Sequence, residues 1–449
     1  MIKIPDLPAL LEQEKDPLLE AVKELARIPS ILQEAETGAP FGRPIAQALS
    51  RALSISASLG FRTMLEPDGY YGYAEIGQGE ELVAILGHVD VVPAGSLADW
   101  RQDPFDPQIT DGILYGRGVQ DDKGPTLAAL FGAHALMQAG IAFNKRLRFI
   151  FGTDEENLWR CMKRYLAQEE IPTSGFTPDA KFPLIYAEKG LLQATLEAPT
   201  EQGIHLSGGS AFNAVADSAV YMGVAAEKLR RQVELLRYDY QSINGGVQVI
   251  GKAAHAQVPE EGVNAICRLA IALHSCGVHS PAIDFLAQEI GEDPYARKIF
   301  GDVQDEDTGR LKFNVGMIES GEVERISLDI RIPASVEKQK VVEKLVQSAD
   351  KYGLKYQQRD WLAPIYIPRQ SDLVKTLMDV YRQVTGDYDS QPETSGGATY
   401  ARAMPNCVAF GAVFPGRPKV EHQPNEHIRL DDLYTAMQIY ALAIYALTR

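Results

Sequence analysis

Apolar residues recur along this chain in two rhythms, one of three to four residues and one of unbroken runs. The first rhythm predicts helices. After Asp16-Pro17, a capping pair suited to a helix start, Leu19, Val22, Leu25 and Ile28 fall on one face. A second helix is expected from about Ile45 to Leu59, stopped by Gly60, and a third over Leu127–Gln138, opened by Gly124-Pro125-Thr126. The second rhythm predicts strands at Tyr71–Ile76, Leu82–Leu86, Arg146–Phe151 and 183–187, with a helix over 159–168. Leu82–Leu86 has almost no polar alternation, as in sheets covered on both faces. Strands alternating with helices read as a mostly parallel α/β sheet.

After Gly190 the strands become more polar on one face. Expected strands are 192–198, 246–252, 312–318 and 325–332, and expected helices 214–236, 262–275 and 336–352. From Val247 to about Ile367 the order is β-α-β-β-α-β, a ferredoxin-like split βαβ unit. The α/β pattern returns with helix 371–385, strand 407–412 and helix 431–447. The fold class is therefore α/β: a mostly parallel sheet domain over 1–190 and 366–449, interrupted by an inserted α+β domain over 191–365.

Length agrees with this division, since 449 residues exceed one ordinary core. Lys plus Arg number 44 against 60 Asp plus Glu, and the formal charge of −16 argues against a nucleic-acid or anionic-membrane surface. Cys161, Cys267, Cys276 and Cys407 are scattered, without CxxC, so neither a disulfide framework nor a sulfur-based zinc site is expected. With no signal-like or membrane-spanning run, the expected compartment is the cytoplasm.

The candidate chemistry lies where apolar runs end. In Glu81-Leu-Val-Ala-Ile-Leu-Gly-His-Val-Asp90, His88 offers a neutral nitrogen ligand and Asp90 can accept from its other ring nitrogen. Gly116-Arg-Gly-Val-Gln-Asp-Asp-Lys-Gly124 lacks the spacing of a nucleotide-binding loop and reads instead as a carboxylate, Asp121, aimed at a metal. In Asp154-Glu155-Glu156, adjacent carboxylates point apart, so one can bind metal while the next faces water. Asp179 and His422 are each ordinary alone, as turn and surface residues. His255 lies in the inserted domain, and His134, His205, His274 and His279 read as packing or surface residues.

In this order the motifs resemble the co-catalytic di-zinc metallopeptidases that include aminoacylase, carnosinase and succinyl-diaminopimelate desuccinylase, and within them the bacterial PepV-type dipeptidases (Xaa-His dipeptidases). The matching segments are Gly87–Pro93, Trp100–Phe105, Asp111–Gly118, Asp121–Pro125, Gly152–Glu156, Phe176–Asp179, His255, Asp329–Arg331, Gly396–Tyr400 and His422.

The resemblance implies a zinc exopeptidase-like catalytic domain with an inserted lid. It implies two divalent cations, zinc first and manganese or cobalt next, with Asp121 bridging. His88 and Asp179 would hold one cation, and Glu156 and His422 the other. It makes Glu155 the general base toward a metal-bridging water, Asp90 the support of His88, and His255 the oxyanion donor. Arg331 would clamp the substrate carboxylate, with Asn213, Gly396 and Gly397 as further substrate contacts. A cis peptide often follows the bridging aspartate in that family, here Asp121–Asp122.

The implied activity is hydrolysis of dipeptides or short peptides with a free N-terminus. The alternatives are an N-acyl-amino-acid deacylase of the same superfamily and a non-catalytic metal- or amino-acid-binding protein. Dimeric relatives borrow the oxyanion histidine from a partner subunit, whereas an enlarged lid of this kind implies a monomer.

Overall fold

The computed structural model describes residue 4 and residues 6–200 and 203–449. The chain divides into two compact units. One comprises Met1–Tyr186, Ile367–Glu393 and Thr399–Arg449, and the other Ala187–Tyr366 with Thr394–Ala398.

The first unit is built on a twisted mixed sheet. Its neighbours in order are Arg62–Leu65, Gly72–Ile76, Arg146–Gly152, Leu82–His88, Ser174–Thr177, Cys407–Ala409 and the strand beginning at Ile185. The four central strands, Arg146–Gly152, Leu82–His88, Ser174–Thr177 and Cys407–Ala409, are mutually parallel. All seven residues of Leu82–His88 are buried, as the unbroken apolar run predicts for a strand covered on both faces. Helix Lys123–Gln138 packs against Leu430–Leu447 and Leu7–Ala26. The buried ammonium of Lys123 donates to the carbonyls of Leu25 (3.1 Å) and Ile28 (3.0 Å), tying two of these helices together.

The first helix corrects the sequence reading. It begins at Leu7, not at Asp16-Pro17, and runs through Pro17 to Ala26. Pro17 removes the bond to the Gln13 carbonyl, but both residues are exposed and water can satisfy that oxygen. Leu7, Leu11 and Leu18 extend the buried stripe across the proline.

The second unit is an eight-stranded antiparallel sheet. In space the order is Tyr240–Ile243, Gly246–Ile250, Ser218–Met222, His205–Gly208, Lys312–Ser320, Val323–Ile332, Gly190–Pro199 and Lys355–Leu362. The last four form the 2-3-1-4 order of a split βαβ unit. Its first strand is therefore Gly190–Pro199, not the expected strand near 247. Ten-residue pairing from Gly190↔Ile332 to Pro199↔Val323 places that strand centrally.

The segment expected as helix 214–236 is a strand, Ser218–Met222, followed by helix Ala226–Leu235. Its alanines favour helix locally, yet pairing on both edges with His205–Gly208 and Gly246–Ile250 overrides propensity. Among the described residues no helix is long and apolar enough to cross a membrane.

The close approach of parallel strands Leu82–His88 and Ser174–Thr177 needs Gly175, where a Cβ would overlap the Ala84 carbonyl oxygen. Backbone cannot step aside as a side chain can. Gly175→Ala is expected to destabilise the protein by at least about 1–3 kcal/mol, read as a lower urea midpoint at unchanged m-value. A midpoint equal to wild type would show that the strands part freely.

Candidate metal centre

The candidate ligands of the first unit gather at the carboxyl ends of its parallel strands, where open α/β sheets form their sites. His88 ends one strand, Glu155 and Glu156 follow Gly152 of the next, and Asp179 follows Thr177 of a third. Asp121 stands two residues before helix Lys123–Gln138, whose positive N-terminal end favours carboxylates. His422 comes from the loop before the last helix, with φ of 62°. The Asp121–Asp122 peptide is cis.

Asp121 lies between the two imidazoles. Its Oδ1 is 3.0 Å from His88 Nε2 and its Oδ2 is 3.1 Å from His422 Nε2. His422 Nε2 also lies 2.9 Å from Glu156 Oε2, and His88 Nε2 lies 3.9 Å from Asp179 Oδ2. Two sets of potential ligands result, each with its donor atoms within 4.8 Å of one another: His88, Glu155 and Asp179, and Asp121, Glu156 and His422. Imidazole and carboxylate without thiolate suit zinc, manganese or cobalt.

Burial and crowding set the electrostatics. Burial first, then the charges of Glu156 and Asp121, raise Glu155 well above the usual carboxylate range. Burial and the charges of Asp121 and Glu155 do the same to Asp179. Burial would raise Asp121 too, but hydrogen bonds from His422 and His88 hold it far below its ordinary value. Bonds to Asp121 and Glu156 push His422 up to about 10. Burial disfavours charge on His88, yet its bonds to Asp121 and Asp90 prevail and raise it well above the histidine range. Without metal, protons on the imidazoles therefore stand in for cations, and the set fits a dinuclear cation site.

Asp90 does more than the sequence suggested. His88 Nδ1 faces the Asp90 carbonyl at 3.0 Å, with the carboxylate at 3.6 Å. The carboxylate instead accepts the backbone N–H groups of Glu155 (3.2 Å) and Glu156 (3.1 Å), fixing the acidic loop.

Several site residues escaped the sequence reading. Glu426 is fully buried. It pairs with Arg117 at 2.7 Å and accepts from the backbone of Gly118 (2.9 Å), Gln120 (3.0 Å) and Asp121 (3.2 Å). Trp159 Nε1 donates to the Glu155 carbonyl at 2.6 Å. Tyr400 lies edge-on to both His88 and Trp159, and its hydroxyl occupies the space where a Cβ on Gly152 would sit. Glu426 had a faint signal, four residues after His422. Tyr400 had its place at the end of the matched segment Gly396–Tyr400, and Trp159 had no signal beyond its aromatic character.

The remaining candidates belong to the second unit and form their own neighbourhood. His255 bridges to Ala214, Ala256 N–H donates to the Asn213 carbonyl at 2.9 Å, and Gln257 N–H donates to His255 Nδ1 at 3.1 Å. Gly396 and Gly397 lie against the Gln257 side chain. Arg331 donates through Nε (2.6 Å) and Nη2 (3.0 Å) to Asp329, and through Nη1 (3.1 Å) to the Gly396 carbonyl.

Removing Glu426 would leave Arg117 buried without its counter-charge. Glu426→Ala is expected to cost about 3–5 kcal/mol, measured by denaturant unfolding of the metal-loaded protein, and to weaken metal retention by loosening Asp121. Unchanged stability and metal content would refute the anchoring role. Metal uptake must also displace the protons of His88 and His422. Affinity is expected to rise by roughly tenfold per pH unit for each proton displaced, between pH 6 and 9, in competition titrations with a chelator. A pH-independent affinity would contradict the assignment.

Residues 84–446 match Peptidase family M20/M25/M40. The chain is 34% identical over 462 residues to the "Putative dipeptidase YtjP" of Bacillus subtilis (strain 168), covering 97% of this chain and 98% of that protein. Its fold is similar to that of the di-peptidase Dug1p from Saccharomyces cerevisiae (TM-score 0.61, 13% identity, 99% and 98% of the two chains). It is also similar to that of human carnosine dipeptidase 1 (TM-score 0.60, 15% identity, 100% and 99%). The chain belongs to Peptidase family M20/M25/M40 and is a metallopeptidase.

Proposed function

We propose that the protein is a dipeptidase that hydrolyses short peptides with a free N-terminus. The observation that carries this reading is Asp121 held between His88 and His422, with Glu155 beside the same cluster. The names of the relatives support it. His88 and Asp179 would hold one divalent cation and Glu156 and His422 a second, with Asp121 shared, and zinc is our first choice. When bound, such a pair polarises a carbonyl and acidifies a water.

Glu155 serves as general base. It is half-buried and directed by Asp90 on its backbone N–H and Trp159 on its carbonyl, so its carboxylate stays near one place as it takes a proton from water and delivers it to the leaving amine. Crowding by Glu156 and Asp121 favours the proton-accepting step.

The second unit acts as lid and substrate-binding domain. Arg331, its fork already aligned by Asp329, retains N–H groups for a substrate carboxylate. His255 stabilises the oxyanion, with Asn213, Gly396 and Gly397 shaping the surroundings. The sheet extension from His205–Gly208 to Tyr240–Ile243 is continuous with the split βαβ strands. The enlarged unit supports a monomer as our reading, and the cytoplasm is the compartment proposed with it.

Glu155→Gln is expected to lower kcat by roughly 10²–10⁴-fold while keeping both metals, checked by metal analysis and turnover on one preparation. Full turnover would remove Glu155 as the base. A free substrate amine is expected to be required, so N-acetylation of a good dipeptide substrate should abolish hydrolysis. Preference for the acetylated form would favour an N-acyl-amino-acid deacylase.

A further inference from the structure

A third set of ligands lies wholly within the second unit. The sequence gives His274 and His279 no context, yet the fold directs both onto one carboxylate. His274 Nδ1 lies 2.7 Å and His279 Nδ1 2.9 Å from the same oxygen, Oδ1 of Asp284. The imidazoles stand edge to face, with centroids 5.0 Å apart. The donor atoms lie within 4.8 Å of one another, and among the described residues the only other groups that meet this test are the two of the candidate catalytic centre.

The backbone holds this arrangement. His274 is in the last turn of helix Ala265–Ser275, whose end is closed by Cys276 N–H to the carbonyls of Ala272 and Leu273 and by Gly277 N–H to that of His274. Val278 N–H returns to the Leu273 carbonyl at 2.9 Å. Ser280 then caps helix Pro281–Phe285 through Ile283 N–H, and Asp284 N–H bonds the Ser280 carbonyl at 2.9 Å. His279 thus comes from a loop whose ends are fixed by the two helices that carry His274 and Asp284. Both His279 and, in part, His274 and Asp284 reach solvent, so a cation has an entry path and a fourth position for water.

We propose that His274, His279 and Asp284 form a separate binding site for one borderline transition-metal cation, zinc(II) foremost, clamping the end of one helix to the start of the next. Two imidazoles and one carboxylate select zinc, copper or nickel over magnesium or calcium. A metal–nitrogen bond of roughly 2.0–2.1 Å requires only that the three donors part by a few tenths of an ångström around the ion. Cys276, in the same loop, is not a ligand: burial raises its thiol and its Sγ–H is donated to the Leu273 carbonyl.

The test is calorimetric titration of Zn²⁺ into enzyme already carrying its catalytic metals, for wild type, the His274→Gln/His279→Gln double variant and the single variants His279→Gln and Asp284→Asn. Wild type is expected to take up one more equivalent than the double variant, with dipeptide turnover equal within twofold. Each single variant should bind this equivalent at least tenfold more weakly, and these half-exposed positions keep the test valid if the double variant does not fold. Equal stoichiometry and affinity in wild type and variants would overturn the proposal. The comparison is a difference at residues remote in sequence from the catalytic ligands, so it is independent of how many metals the catalytic centre holds.

Discussion

Crowding of buried carboxylates at one end of a parallel sheet is the constraint on which the first unit turns. Asp121, Asp122 and Glu426 are buried, and Glu155, Glu156 and Asp179 half-buried, near two imidazoles. Two like charges 4 Å apart repel by about 4 kcal/mol at an effective dielectric of 20, so such a cluster tolerates full ionisation only beside positive charge. Arg117 supplies a buried counter-charge to Glu426, while Glu155, Glu156 and Asp179 keep a raised proton affinity. Divalent cations relieve that excess, and the requirement for them is written into the protein's electrostatics rather than into any one ligand.

The acids divide by what their oxygens accept. Asp90 receives the N–H groups of Glu155 and Glu156, and Glu426 those of Gly118, Gln120 and Asp121. Asp154 accepts the backbone and guanidinium of Arg160. These carboxylates fix loops. The residues they fix, Asp121, Glu155 and Glu156, are left with oxygens facing the imidazoles or one another. The carboxylates that fix loops and those that face the imidazoles are the same chemical groups, separated only by whether backbone N–H groups claim them.

This division explains what the sequence could reveal. The fold class, the parallel strands and the order of motifs were legible because buried runs such as Leu82–His88 end directly in polar residues, where α/β sheets place sites. Glu426 was not, because a glutamate in a polar loop has no local mark of burial; its partners lie some 300 residues earlier. Helix propensity misled at 214–236, where sheet pairing decides the conformation. Proline punctuation misled at Pro17, where an exposed helix face absorbs the lost bond. The first strand of the split βαβ unit was missed because its neighbours Val323–Ile332 and Lys355–Leu362 come more than a hundred residues later, with five other strands of the sheet before the nearer of them.

The two histidine clusters differ in how their imidazoles are held. His88 has no exposed surface and is wedged beside Tyr400, with one nitrogen toward the Asp90 carbonyl and the other toward Asp121. Its ring direction is therefore set before any cation arrives. His279 has about half its side chain in water and bonds Asp284 alone among protein groups. His422 of the first centre is as exposed as His279, at 53% and 54% of the side chain, so what sets the first centre apart is the fully buried His88 and the crowd of carboxylates around it. The crowded carboxylates gather at the carboxyl edge of the parallel sheet, whereas in the second unit two helix ends bring imidazoles onto one shared carboxylate.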